Sequence, residues 1–188
     1  MKKLFVFIAI VLVSACAYSP QQITVKPVVD MTGENYGKGR SVSVSAEDAR
    51  VNKTLGSRGG LYKETSIITI ANDMPQAVAN AARAKLATQG FNVNSDDSNA
   101  SLNVVIEELS YDVPEQSVVK KIDLKCVMRV EAKSGGESYT GRYRTTSEQQ
   151  SMTTPNMERN QQMINQLLSD TLMRAFTDEK LKAFLSNI

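Results

Sequence analysis

Histidine and tryptophan are absent from this chain of 188 residues, and cysteine occurs only twice. Without histidine the chain cannot form a Ser-His-Asp triad, a Cys-His pair or the usual zinc sites. It also lacks a phosphate-binding Gly-Lys-Ser/Thr loop, a dinucleotide-binding fingerprint and an aspartate-rich calcium loop. A hydrolase built on two carboxylates remains possible by composition, but no pattern marks such a pair. We therefore expect a non-enzymatic protein with no cofactor and no metal site.

An excess of charge of one sign is also missing. The formal net charge is +2, and the first fifteen residues contain two lysines and no acid, so the rest of the chain is formally neutral. A domain that binds nucleic acid usually carries a clear basic excess. We expect no nucleic-acid partner.

The N-terminal segment carries an export pattern. Lys2 and Lys3 precede an apolar run from Leu4 to Val13. The run is shorter than the roughly 20 apolar residues that span a bilayer, and it is typical of a secretory signal peptide. The sequence VSAC, which closes this segment at Cys16, resembles the bacterial lipoprotein processing box.

The processing box predicts how the chain is divided and anchored. By the resemblance, residues 1–15 are a signal peptide, residues 16–21 are a lipidated cysteine with a short tether, and residues 22–188 form one domain. Acyl chains such as palmitate on Cys16 would anchor the protein, since each buried CH₂ contributes about 0.8 kcal/mol and several chains hold stably. Ala17, where an aspartate would signal retention, resembles an outer-membrane address. We expect an outer-membrane lipoprotein that faces the periplasm.

Periodicity along the remaining chain predicts an α+β domain. Alternating segments predict strands, and helices are expected over residues 75–89 and over about 20 residues after Pro155. The second helix should bury one apolar stripe, formed by Met157, Ile164, Leu168, Leu172 and Phe176. We expect an antiparallel sheet packed on one side by two main helices. Cys126 lies on the apolar side of a strand, and we interpret it as an inert core residue.

Two long strands are expected to form a hairpin around Gly135 and Gly136, because a two-residue turn needs positive φ at both positions. In that register Arg129 lies opposite Arg142. A change in the phase of the apolar residues predicts a bulge near Glu107 and Glu108 in the preceding strand.

The first candidate binding site is the loop that contains Asp48, Arg50, Arg58, Gly59 and Gly60. Residues 53–60 could form a backbone nest for an anion, with both arginines beside it. The alternative is a connecting loop in which glycine supplies positive φ. For Asp48 and Arg50 the alternative is an exposed ion pair that orders the loop and contributes about 0 to 1 kcal/mol.

The second candidate site is the outward face of the hairpin, where Arg129, Arg142 and Arg144 lie together with Lys125 and Lys133 nearby. Like charges directly opposite each other are destabilising, and an anionic partner would relieve that cost. Lipopolysaccharide and peptidoglycan are anionic components of the envelope. The alternative is a solvated face whose charge is balanced by neighbouring acids, namely Asp123, Glu131 and Glu148.

Three sequence motifs resemble the YajG family of bacterial lipoproteins. They are Asp-Ala-Arg at 48–50, KTLGSRGG at 53–60 and LATQGF at 86–91, which follow a lipoprotein box. The resemblance covers most of the chain after the box. It implies a lipoprotein of the Gram-negative envelope without assigning an activity.

These observations together predict a lipid-anchored binding or scaffolding module for an envelope component or an envelope protein. The alternative is a lipoprotein that binds an amphiphile between sheet and helices, as an auxiliary of a lipid transporter. A deep apolar cavity would favour the alternative, whereas a filled core with an exposed polar face would favour the module.

Overall fold

The structure of the chain is a computed structural model that describes residues 19–60, 63–93, 98, 100–114 and 120–188. Cys16 and the signal peptide lie outside the described residues, so the predicted lipidation stays a prediction. The strands within the described part are β1 (Gln21–Ile23), β2 (Ser43–Asp48), β3 (Gly56–Ser57), β4 (Ile67–Ile70), β5 (Ala100–Asp112), β6 (Lys120–Ser134) and β7 (Glu137–Ser151). The helices are α1 (Met74–Thr88), α2 (Met157–Phe176) and α3 (Glu179–Ser186), and one turn of 3₁₀ helix covers Lys63–Thr65.

The α+β class is confirmed, but the sheet is mixed, so the expectation of a purely antiparallel sheet is wrong in this respect. β5, β6 and β7 form the expected antiparallel meander. β2 and β3, however, both run parallel to one edge of β5, and β1 runs parallel to β4. Parallel strands need a long crossover, and the segment from β3 to α1 supplies it between β2 and β5.

The register of the β6–β7 hairpin is confirmed. Gly135 has φ 56° and Gly136 has φ 91°, as a two-residue type I′ turn requires. Ala132 pairs with Tyr139, and Arg129 pairs with Arg142. The pairing of β5 with β6 shifts between Ile106 and Glu108, which confirms the predicted bulge.

Each helix begins after a residue whose side chain caps it. Asp73 accepts a hydrogen bond from the Gln76 amide at the start of α1, and Asn156 accepts one from the Arg159 amide at the start of α2. Asp178 caps α3 in the same way. The predicted stripe of α2 is buried except at Met157, which is 51 % exposed because it is the first residue of the helix and precedes the packed turns.

One hydrophobic cluster lies between the inner face of the sheet and the helices. Leu102, Ile106, Met128 and Leu168 are fully buried within it. Cys126 belongs to the same cluster, and burial raises the pKa of its thiol to about 12. The predicted core position of Cys126 is therefore confirmed, and its burial disfavours the reactive thiolate.

An extended segment follows β1 and lies along α2. The backbone amides of Thr24, Lys26 and Val28 donate hydrogen bonds to polar α2 side chains spaced four residues apart, namely Gln161, Asn165 and Ser169. The amide of Asn165 also donates to the Thr24 carbonyl at 3.1 Å. These side chains take the place of a neighbouring strand, so the segment is held without a backbone ladder.

Candidate functional site

In the first candidate site two cations contact one carboxylate. We call these three residues, Asp48, Arg50 and Lys53, the loop cluster. Arg50 Nε donates to Asp48 Oδ1 at 2.8 Å, and its Nη2 donates to Oδ2 at 3.0 Å. Lys53 Nζ lies 3.2 Å from the same carboxylate. The Arg50 side chain is only 5 % exposed. The ion pair that we considered as the alternative is therefore present, but it is not exposed, because the guanidinium is buried against the protein.

Arg50 also sets the ionisation of Asp48. Burial alone would raise the pKa of this carboxyl, but hydrogen bonds from the Arg50 side chain and backbone outweigh burial and hold the pKa below its usual value. The Nη1 atom of Arg50 is buried without a hydrogen-bond partner within the described residues. The pair orders the end of β2, and Arg50 is not presented to solvent.

The glycine-containing loop turns its amides inward. The Leu55 amide donates to the Ile68 carbonyl, and the Arg58 amide donates to the Ser66 carbonyl. The Gly59 amide donates to Ser57 Oγ at 3.1 Å. Gly59 and Gly60 have φ 78° and 102°, the conformation expected for connecting glycines. These internal bonds favour the interpretation of residues 53–60 as a structural connection.

The side chain of Arg58, like that of Arg50, is buried. It is 7 % exposed, and its guanidinium donates to the Ser19 carbonyl. Arg58 therefore ties the beginning of the described chain to the sheet. The structure does not bring Arg58 together with Asp48 and Arg50 around a common open site.

The second candidate site contains the hairpin cluster, which we define as Glu107, Arg129 and Arg142. The two arginines face each other across β6 and β7 as expected. Arg129 Nε donates to Glu107 Oε1 at 3.0 Å, and Arg142 Nε donates to Glu107 Oε2 at 2.6 Å. Arg129 also contacts Glu131. The repulsion between the arginines is thus relieved within the chain.

The bulge in β5 explains why the carboxylate of Glu107 lies beside the two arginines. Before the bulge odd-numbered residues lie on the outer face of the sheet, and after it even-numbered residues do, so Glu107 and Glu108 both face outward. Glu108 pairs with Lys125 at 2.6 Å. The hydrogen bond from Arg142 and, after it, the contact with Arg129 lower the pKa of Glu107 against the effect of burial. The sequence pattern contained both the bulge and the basic face, but not their proximity.

Arg144 differs from the other two arginines. It is exposed on β7 opposite Val127, and within the described part of the chain no ion pair involves it. Of the three arginines predicted for this face, Arg144 is the one whose charge is left to solvent.

A half-buried cluster of two phenols was not predicted from the sequence. The hydroxyls of Tyr139 and Tyr143 lie 2.7 Å apart, and both donate to Asp178 Oδ2, at 3.0 and 2.9 Å. Gly141 lies between them, and a Cβ there would come within 2.6 Å of both hydroxyls. Burial, and then its hydrogen bonds to Tyr139 and Asp178, raise the pKa of Tyr143. The spacing of two tyrosines around a glycine was the available signal.

Open grooves flank the packed core. One is apolar and lies between the extended segment and α1, where Val28 and Met31 are 71 % and 56 % exposed beside Ala77, Ala81 and Ala84. Another is polar and lies between α2 and the end of β7. No group of three or more cysteine, aspartate and glutamate side chains in the described part is placed to hold a metal ion. None of its helices is long and apolar enough to cross a membrane.

Comparison with known proteins defines the class to which this fold and these motifs belong. A family model described as an uncharacterized lipoprotein matches residues 27–186, so the chain belongs to that family of lipoproteins. A relative is the uncharacterized lipoprotein YajG of Escherichia coli strain K12, which is 21 % identical over 188 residues, covering 98 % of this chain and 96 % of the relative. The predicted family is confirmed, and its name describes no enzymatic activity.

Some solved structures resemble the chain only weakly. A Xanthomonas campestris protein of the DUF330 family is 10 % identical, with 89 % of this chain and 95 % of that chain covered and a TM-score of 0.47. A neuraminyllactose-binding hemagglutinin homolog from Helicobacter pylori is 9 % identical, with 85 % and 97 % covered and a TM-score of 0.45. At this level of similarity neither structure informs the function of this chain.

Proposed function

We propose that this lipoprotein is a non-enzymatic binding or scaffolding module, anchored through Cys16 at the outer membrane and facing the periplasm. The observation that supports this most directly is the contrast between the two faces of the meander. The inner face is filled by helices, whereas every second residue of β7 from Ser138 to Gln150 is exposed on the outer face. This strand offers a polar surface roughly 40 Å long.

The partner that we propose is an envelope protein or an anionic envelope component such as peptidoglycan or lipopolysaccharide. Arg144 supports an anionic partner because its charge is exposed and unpaired within the described residues. Arg129 and Arg142 contribute less, since Glu107 and Glu131 together already balance their charges. Binding that depends on exposed charge should weaken with salt, because the Debye length is about 8 Å at physiological ionic strength.

The test is photo-crosslinking in intact cells from a reactive residue placed at Thr140 on the outer face. Gln166, exposed on α2, is the matched control position. An adduct with an envelope protein or with peptidoglycan from Thr140 but not from Gln166 supports the proposal. Equal adducts from both positions, or none from Thr140, contradict it. In parallel, Cys16→Ser should abolish fractionation with the outer membrane, and unchanged fractionation would exclude the anchor.

The amphiphile-binding alternative has one observation in its favour, the apolar groove beside Val28 and Met31. It lies outside the packed space between sheet and helices where we expected an amphiphile. A third reactive residue at Val28 tests it in the same cells. Lipid adducts from Val28 without adducts from Thr140 would contradict the binding or scaffolding function and support lipid binding instead.

A further inference from the structure

β7 forms an open edge of the sheet. Among the described residues it pairs with β6 alone, over fifteen residues from Glu137 to Ser151 and without a register shift. Strands usually have about 3–10 residues, and exposed edges are usually protected by shortness, bulges, proline or lysine. β7 is long and has no bulge, proline or lysine, and its charged residues, which include Arg142, Arg144 and Glu148, are of both signs. An edge of this length and mixed charge is suited to pairing with a strand of complementary charge.

The hairpin turn determines which backbone groups are available at this edge. Ser134 and Glu137 close the two-residue turn and exchange hydrogen bonds, so the odd-numbered residues of β7 bond to β6. The N–H and C=O groups of the even-numbered residues therefore point to the open edge. Within the described part of the chain these groups form no hydrogen bond with another element.

We propose that this edge pairs in antiparallel fashion with β7 of a second copy of the chain, with the two-fold axis at Thr146. This register places Arg144 opposite Glu148 of the second copy, twice by symmetry. Within one copy Glu148 already lies 3.1 Å from Lys121 on β6, so Arg144 would be a second cation beside the same carboxylate. It also places Thr146 opposite itself, a favourable cross-strand pair. An axis at Arg144 or at Glu148 would instead bring like charges directly together. Charge complementarity thus selects both the partner and the register.

The inner face of the strand agrees with the same register. Thr145 is 7 % exposed, and its Oγ1 is buried without a hydrogen-bond partner within the described residues. With the axis at Thr146, Thr145 lies opposite Ser147 of the second copy. A hydroxyl is then available next to the unsatisfied atom, whose isolation costs free energy in the single copy. The backbone pairing concerns the edge of β7, but its register uses Arg144 and Glu148 on the outer face. In the paired state Arg144 is therefore no longer available to an anionic partner, and the two proposals compete for this residue.

Disulfide crosslinking of the full chain in cell envelopes tests the pairing directly. In Thr146→Cys the two Cα atoms of an opposed, hydrogen-bonded pair lie about 5.5 Å apart, within reach of a disulfide. Thr140→Cys is the matched control, since its two copies would be twelve residues apart along the joined strands, or roughly 40 Å. The unsubstituted chain controls for Cys16 and Cys126. We expect an oxidised dimer from Thr146→Cys alone. Equal crosslinking at Thr140, or no dimer from Thr146→Cys, overturns the inference.

A charge exchange tests the register. The mass of the full chain in detergent, measured by light scattering over a concentration series, should show a dimer. Arg144→Glu and Glu148→Arg should each weaken dimerisation about tenfold, because each sets like charges opposite at two positions. The variant with both changes restores two opposite-charge pairs between the copies, although it also loses the contact of Glu148 with Lys121 within each copy. It should therefore dimerise more strongly than either single variant. A double variant as weak as the single variants, or an original chain that stays monomeric or binds only a strand of another protein, overturns the inference.

Discussion

The loop cluster and the hairpin cluster are built from the same residue types but differ in burial. In the loop cluster the Arg50 side chain is 5 % exposed, whereas in the hairpin cluster Arg142 is 67 % exposed. A buried guanidinium that loses its carboxylate has no water to replace it, but an exposed one is resolvated. An arginine–carboxylate pair therefore contributes strongly to the stability of the fold in the loop cluster and only slightly in the hairpin cluster.

The largest expected effect comes from breaking the buried pair. Asp48→Asn keeps the size of the side chain but leaves the Arg50 charge uncompensated, and it should lower the free energy of unfolding by roughly 3 kcal/mol. Urea denaturation of the purified protein measures the loss. A loss below about 0.5 kcal/mol would show that the two clusters do not differ in the way that burial indicates.

Acid should reveal the same difference. The pKa of Asp48 is lower in the folded chain than its unfolded value of about 3.9. Its contribution to stability is therefore present above that value and is lost as the pH falls through the depressed folded pKa. We expect unfolding free energies between pH 6 and pH 2 to fall less steeply in Asp48→Asn than in the original chain. Identical slopes would remove Asp48 from the acid response.

Removing both charges should recover part of the loss. Arg50→Met in the Asp48→Asn background replaces the unpaired guanidinium with an apolar side chain of similar length. The double variant should be more stable than Asp48→Asn by about 1–2 kcal/mol, because an isolated buried charge costs more than no charge. Equal stability of the two variants in urea would indicate that Arg50 moves to solvent when Asp48 is neutralised.

The smallest expected change in stability is at the hairpin cluster. Glu107→Gln should cost about 0 to 1 kcal/mol, and the cost should shrink at high salt. The same change frees Arg142, whereas Arg129 keeps its contact with Glu131. Retention on peptidoglycan or lipopolysaccharide should therefore increase if the outer face binds anions. Glu137→Gln, at the exposed turn, is the matched control. Unchanged retention in both variants would show that Glu107 does not mask an anion-binding site at Arg142.

How far sequence predicts this molecule depends on the distance between contacting residues. The meander was predictable down to the pairing of Arg129 with Arg142, because alternation and the Gly135-Gly136 turn act locally. The parallel pairing of β2 with β5 was not, since it joins residues more than fifty positions apart and leaves no local signal. For the same reason Glu107 could be assigned to a bulge but not to the arginines that it neutralises.

The candidate sites show the same limit. The sequence identified Asp48 and Arg50 as a pair, but their burial depends on how the loop folds over the sheet. The phenols of Tyr139 and Tyr143 meet only because Gly141 leaves room between them, and Asp178 reaches them from the start of α3. Residue type and spacing indicated which side chains are charged or polar. Only the folded structure showed which of them are exposed and which are already hydrogen-bonded within the chain.

The extended segment after β1 has a consequence for the order in which the chain acquires its structure. The amide of Thr24 bonds to Gln161, which lies 137 positions later, and that of Lys26 bonds to Asn165, which lies 139 positions later. These bonds cannot form until α2 has been synthesised and has packed on the sheet. This segment is therefore synthesised early but reaches its final position late. Until then Val25 and Val29, which are buried in the folded chain, remain in contact with water. If the chain is exported as we propose, a factor that shields it before folding would be needed longest at these residues.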